Sequence, residues 1–314
     1  MGFLLLLAVP ALGVYALTSR YLRKHPQLLH KPRKVPFPCQ HVSHRGGCGE
    51  RIENTLEAFS NALAQKTNIL ELDCHLTQDG VVVVSHDDNL DRQAGKNIEI
   101  SKTNYADLPP YKDSLEVTFY PGHFSHGSDH RIPRLEEVFQ KFPGVPVNIE
   151  IKPDNDELIC KVAKLVRQFN RSEISIWASS EDSVLKKCRK ANPEMPFMFS
   201  YKRGFTILFL YYVGLLPFVP LKESFLETIL PSVINRSACR CLGSLVEFMA
   251  IERPSLMSFH LSMFISQVLL WVVNEEEDFA EAFSYGVSGV MTDYPTRLRK
   301  YLDAHSSLSE KKED

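Results

Sequence analysis

Net charge is nearly absent: 36 Lys and Arg against 38 Asp and Glu leave −2 over 314 residues. Nucleic-acid-binding proteins carry a basic surface, so this balance argues against nucleic acid as a partner. A disulfide framework is missing too. The seven cysteines, at 39, 48, 74, 160, 188, 239 and 241, are scattered and odd in number, which points to reduced thiols. Cys239 and Cys241 are close, but no second pair completes a zinc site. Residues 1–19 hold no charged side chain, and Arg20, Arg23, Lys24, Lys31, Arg33 and Lys34 follow that run. A cleaved signal peptide has its positive charge before the apolar stretch, so that reading is disfavoured.

Residues 1–24 are therefore expected to form a transmembrane anchor, with Tyr15 and Tyr21 at its rim. The basic residues behind it place the rest of the chain on the cytosolic side. Residues 25–38, with Pro26, Pro32, Pro36 and Pro38, read as a stiff linker. A second uncharged run, 205–221, is aromatic-rich and broken by Pro217 and Pro220. It is short for a span and reads as a hydrophobic, membrane-facing insertion. Residues 306–314 form a polar tail, expected to be disordered.

Between linker and tail, 39–305 alternates strand and helix. Strands are expected at 40–44, 69–76, 145–151, 174–178, 197–200, 268–273 and 289–291, with a hairpin strand at 81–85. Helices are expected at 54–65, 135–142, 156–169, 183–190, 276–283 and 295–304. Residues 89–130 read as an irregular insertion, and 222–264 yields no strand that can be assigned. Such alternation means a parallel sheet with crossover helices. An open doubly wound sheet also fits, but His44, Glu71, Asp73, His86, Glu150, Lys152, Trp271, Asn274 and Asp293 fall at or just past the ends of separate strands. Many strand ends converge on one point only in a closed barrel, so a TIM (β/α)8 barrel is expected.

Glu71 and Asp73 are two apart on one strand and share a face, as do Glu150 and Lys152 on another. Carboxylates pointing into a barrel mouth from apolar strands call for a counter-ion, and an all-oxygen set suits Mg²⁺ or Ca²⁺. His44 and His86 can serve as acid and base, since imidazole titrates near working pH. Arg45 and Lys152 can neutralise phosphate oxygens. Gly46 and Gly47 allow close backbone approach there. His123, His126 and His130 read as a surface loop without a ligand framework.

The set His44-Arg45-Gly46, Glu53-Asn54-Thr55, Glu71-Leu72-Asp73, Thr77-Gln78-Asp79-Gly80 and His86-Asp87 resembles the glycerophosphodiester phosphodiesterase family. So do Ile149-Glu150-Ile151-Lys152, Trp271-Val272-Val273-Asn274 and the run 289–295. With Leu28-Leu29-His30 and the run 214–220, the chain is similar to that family's membrane-bound mammalian subgroup of lysophospholipases D. The resemblance implies Glu71, Asp73 and Glu150 as ligands of a divalent metal, and His44 and His86 as the acid/base pair. It implies Arg45 and Lys152 on phosphate, Glu53 in support and Trp271 lining the substrate. The implied reaction takes lysophosphatidylcholine, lysophosphatidylethanolamine or their N-acyl forms to lysophosphatidic acid and the free head group. The implied setting is the lipid bilayer, at endoplasmic reticulum and perinuclear membranes. Two other readings stand beside it: hydrolysis of water-soluble glycerophosphodiesters, and a catalytically silent membrane scaffold. One departure is the turn before the Trp271 strand, where Met263-Phe264-Ile265-Ser266 lacks the family's glycine.

Overall fold

The structure, a computed structural model, describes residues 2–31, 34–230, 233, 264–265 and 267–310. In chain order, α1 (Gly2–Lys24) precedes β1 (His41–Ser43), α2 (Leu56–Ala64), β2 (Ile69–Leu76) and β3 (Val82–Val84). An excursion follows with α3 (Asp91–Ala94), β4 (Ser114–Glu116) and β5 (Phe124–His126). Regular alternation resumes with α4 (Leu135–Lys141), β6 (Val147–Ile151), α5 (Asp156–Gln168), β7 (Ser175–Ala178) and α6 (Asp182–Ala191). The last elements are α7 (Tyr201–Tyr212), β8 (Phe225–Ile229), β9 (Gln267–Trp271), α8 (Glu276–Ser284), β10 (Gly289–Thr292) and α9 (Pro295–Glu310).

The parallel strands lie in the order β7-β6-β2-β1-β10-β9-β8. Residues 197 and 198 then bridge Trp177 on one side and Phe225 on the other, so the two edges meet and the sheet curls into a TIM-like barrel. The strand expected at 197–200 is thus reduced to single bridges. Pro196 precedes it and Ser200 already caps α7, accepting from the Arg203 N–H at 3.2 Å, which leaves little extended chain. β8 fills the position the sequence left unassigned; it lies within 222–264.

Every residue of β2 is buried. Leu70 and Leu72 join the large core cluster, while Glu71 and Asp73, on the opposite face, carry polar contacts. α5 shows the matching pattern, burying Leu158, Ile159, Val162, Ala163 and Val166. Its start is fixed by Asn155, whose side chain accepts from the Leu158 N–H at 3.0 Å. The excursion between β3 and α4 has a core of its own, where Leu90, Ile100, Tyr111, Leu115 and Ile132 pack on Ile52 and Val83.

The N-terminal expectation needs correction. Among the described residues no helix is long and apolar enough to cross a membrane. α1 does run the length expected of the anchor, and its apolar run ends at Thr18, Ser19 and Arg20. Its inner face docks on the second apolar segment instead: Tyr15 donates to Val213 O, and Ser19 Oγ donates to Gly214 O at 2.6 Å. His30 Nε2 meets Pro217 O at 2.8 Å. The segment 205–221 is α7 followed by a turn. Ile207 and Leu216 pack against Phe199, Phe264 and Ile265, whereas Phe205, Phe209, Leu215 and Phe218 face outward. The expected tail at 306–314 is helical through Glu310, as α9 runs on; 311–314, Met263, Ser266, Cys239 and Cys241 lie outside the described residues.

Candidate active site

The site begins where β1 ends. His44 and Arg45 open a tight turn in which Arg45, Gly46 and Gly47 all have positive φ (50°, 80° and 88°). The two glycines serve packing as well as φ. A Cβ on Gly46 would stand 2.7 Å from the Phe59 ring, and one on Gly47 would stand 2.6 Å from Pro295. A side chain at either position would thus collide with the protein's own packing. The turn aims the Arg45 N–H at Glu71 Oε2, 2.6 Å away.

His44 and Asp293 sit 249 positions apart and meet at 2.7 Å through Nδ1 and Oδ1. Asp293 is fully buried and also accepts from Asn274 Nδ2 and Cys48 Sγ, both at 2.8 Å. Burial works against ionising it, but the His44 contact and these donors hold it below the usual carboxylate range. Burial, with Arg45 adjacent, pushes His44 below the ordinary imidazole value, although Asp293 opposes the shift. His86 makes a second pair, Nδ1 to Asp87 Oδ1 at 2.5 Å, and Asp87 is tied down by Arg92 Nε at 2.7 Å. Among the described residues neither imidazole has a hydrogen-bond partner on Nε2, and both rings line one cavity of about 320 Å³.

The same cavity meets the acid cluster. Ligand oxygens of Glu71, Asp73 and Glu150 lie within 4.8 Å of one another. Register explains this: Asp73 on β2 is the direct partner of Glu150 on β6. Burial, then Asp73 and Glu150, push the Glu71 carboxyl well above its ordinary value. Burial also opposes ionisation of Asp73, but Lys152 and Arg45 hold it far below. Three acids in mutual repulsion, one of them driven toward protonation, are the signature of a cation site, and an all-carboxylate donor set fits a hard divalent ion.

Lys152, expected on phosphate, spans Asp73 Oδ1 at 3.0 Å and Glu150 Oε2 at 2.9 Å while lining the cavity. Arg45 also lines the cavity, yet it is almost fully buried and its guanidinium is held by Glu53 at 3.4–3.5 Å and by Thr118 at 3.3 Å. Glu53 is a hub. It receives Arg92 at 2.7 and 3.0 Å and Gln93 at 2.7 Å as well as Arg45, and against its burial these cations keep it ionised. Asn54, at φ 59°, donates to Asp73 Oδ2 at 2.9 Å. Trp271 lines the cavity edge-on to Phe119, whose ring stands 5.6 Å from both Trp271 and His44. His123, His126 and His130 do not gather: His123 stacks on Tyr120, and His130 contacts Lys112 O.

All nine residues named from sequence thus belong to one site. Arg92, Gln93 and Phe119, from the irregular excursion, were missed, as were Asn148 and Glu227. The irregular pattern of 89–130 carried no periodic signal that this excursion folds back onto the barrel.

The pattern of the Glycerophosphoryl diester phosphodiesterase family matches residues 44–297. The chain is 52% identical over 312 residues to human Lysophospholipase D GDPD3, covering 97% of this chain and 98% of that one. It is 45% identical over 303 residues to human Lysophospholipase D GDPD1, covering 94% and 96%. Among solved structures, a glycerophosphodiester phosphodiesterase from Agrobacterium tumefaciens superposes with a TM-score of 0.61 at 20% identity, over 83% of this chain and 99% of that one. An Oleispira antarctica phosphodiesterase, solved with the product sn-glycerol-3-phosphate, gives 0.59 at 22% identity over 84% and 96%. These two likenesses concern the fold.

Proposed function

Because the chain belongs to the glycerophosphoryl diester phosphodiesterase family, we propose that it is a lysophospholipase D, cleaving lysophospholipids on the head-group side of phosphorus. The observation that carries the reading is the meeting of two His–Asp pairs and a three-carboxylate cluster in one cavity.

Asp293 and Asp87 each take a Nδ1–H, which fixes the tautomer and leaves both Nε2 atoms to exchange protons in the cavity. His44, held neutral by burial, removes the proton from the attacking oxygen. A lysophospholipid supplies that oxygen itself, as its free glycerol hydroxyl, and attack closes a cyclic phosphate. His86, beside the Asp87 carboxylate, protonates the departing head-group oxygen. Water then opens the ring to lysophosphatidic acid with the roles reversed. Lys152 faces the phosphate, and Arg45, with its charge balanced by Glu53, holds Glu71 and Asp73 in place. A divalent cation, Mg²⁺ or Ca²⁺, held by Glu71, Asp73 and Glu150 supplies neutralisation and polarisation of phosphate oxygens.

In this reading the protein works on a membrane. Support comes from the outward apolar side chains of α1 (Val9, Leu12, Leu17) and α7 (Phe205, Phe209), which lie on docked neighbouring segments. Tyr201, the first residue of α7, lines the active-site cavity, so the helix that carries the outward Phe205 and Phe209 begins at the site. The basic run after residue 19 favours the cytosolic side for the barrel, and endoplasmic reticulum or perinuclear membranes are the proposed setting.

The test is purified full-length protein in detergent with lysophosphatidylcholine, with choline and lysophosphatidic acid assayed together. Both products, lost with EDTA and restored by Mg²⁺ or Ca²⁺, are expected. Release from glycerophosphocholine without lipid turnover moves the substrate to soluble diesters, and silence on both leaves the scaffold reading.

A further inference from the structure

One carboxylate in the cavity has no place in the chemistry above. Glu227 sits in the middle of β8 and accepts from Asn148 Nδ2 at 2.8 Å. β8 and β6 are not neighbours, so this bond crosses the barrel interior. Asn148 is the register partner of Glu71 and stands two residues before Glu150 on β6. At about 3.3 Å per residue, Asn148 lies roughly 7 Å before Glu150 along β6, level with Glu71, toward the cavity floor.

This floor has an unmatched acceptor surface. Glu227 has no ion-pair partner among the described residues; Lys152 goes to Asp73 and Glu150, and Arg45 to Glu53 and Asp73. Asn148 is 1% exposed, and its Oδ1 is buried without a hydrogen-bond partner. Burial, with the Glu150 charge nearby, raises the Glu227 carboxyl to about 8. An acceptor without a donor, Asn148 Oδ1, beside a carboxylate without a cation, Glu227, forms a receptor for a positively charged N–H group.

We propose that Glu227 and Asn148 form the head-group subsite and select a protonated amine, of the ethanolamine type, at the bottom of the cavity. This rests on the lysophospholipase D reading and gives it a direction. The substrate phosphate lies at the carboxylate cluster, and the acyl chain leaves past Tyr201 toward Phe205 and Phe209. The head group then occupies the deep, acidic end, where Glu227 accepts a charge-assisted N–H bond and Asn148 Oδ1 a second.

The experiment compares wild type with Glu227→Gln on lysophosphatidylethanolamine and lysophosphatidylglycerol, two substrates that differ in head-group charge. Gln keeps the shape of Glu. The ratio of kcat/KM for the amine substrate over the glycerol substrate is expected to fall about tenfold or more, the loss of one charge-assisted bond. A parallel fall on both substrates, or an unchanged ratio, overturns the proposal. A second readout does not depend on the variant being active: calorimetry with ethanolamine, expected to bind wild type and to bind Glu227→Gln much more weakly. Equal binding, or none to wild type, overturns the subsite. If wild type cleaves neither lysolipid, the lysophospholipase reading falls, while ethanolamine binding still reads on the subsite alone.

Discussion

Asp293→Asn tests the His44 dyad directly, because the surroundings leave the amide no orientation that keeps both the hydrogen bonds and the His44 tautomer. In the native protein Oδ1 accepts from His44 and Cys48, and Oδ2 accepts from Asn274 Nδ2. If the new NH₂ faces Asn274, two donors oppose each other in a buried site. Asn274 cannot turn its amide to help, since its Oδ1 already accepts the Asp293 N–H at 2.9 Å and Thr292 Oγ1 at 3.1 Å. That orientation costs about 1–3 kcal/mol as an unsatisfied buried donor. At about 2–4 °C per kcal/mol, it appears as a drop of several degrees in Tm. If the NH₂ faces His44, it donates to Nδ1, moves the ring proton to Nε2 and removes the basic nitrogen from the cavity. Either way the charge that stabilises the imidazolium is gone, and kcat is expected to fall roughly 10²–10⁴-fold, the range for a positioned acid–base group. The pH profile adds a sign. Asp293 raises the His44 pKa against the lowering by burial, so its neutralisation lowers that pKa further. The acid limb of residual kcat/KM therefore moves to lower pH. A variant that keeps most of its kcat, with an unmoved acid limb, refutes the assignment of His44 as the proton carrier.

Glu71→Gln is expected to abolish turnover while raising the Tm of metal-free protein. The folded-state pKa of Glu71 lies above its unfolded value, so its contribution is full at acid pH and is lost as pH rises; the variant's advantage should be small near pH 4 and grow toward pH 8, and a flat difference would remove the repulsion argument. Gly289→Ala places a Cβ 1.9 Å from Cys39 O, a backbone atom that cannot step aside, so thermal unfolding should show a loss of about 1–3 kcal/mol or failure to fold; native stability would mean that β10 and the linker are not packed this closely. Deleting residues 1–24 removes the Tyr15 and Ser19 contacts to 213–214 and should weaken co-sedimentation with liposomes while sparing hydrolysis of a short-chain diester; undiminished lipid binding would assign the membrane contact to α7 alone.

The barrel strands and helices were legible because their signals are local. Alternating Glu71-Leu72-Asp73 among aliphatic neighbours can only be a strand with an inward polar face, and the 3.6-residue spacing of α5 can only be an outer helix. The N-terminal helix and the glycine pair show what local signals leave out. The apolar content of residues 1–24 is compatible with a span, but the helix finds protein to cover one face at Gly214 and Phe218. Likewise the glycine pair after His44 marks a turn in any fold, and only packing shows that Phe59 and Pro295 fill the space beside it.

Local pattern is enough to read the chemistry on offer: two histidines, three acids and the strand ends that carry them. Spacing along a strand dictates which side chains share a face, so the acid pair Glu71 and Asp73 needs no distant information. Tertiary structure alone decided the partners. Asp293 reaches His44 across 249 positions, Arg92 and Phe119 arrive from an irregular excursion, and Glu227 meets Asn148 through the barrel interior. Closing the sheet brings strands far apart in sequence onto one axis, and residue periodicity carries no record of which distant side chain then stands opposite.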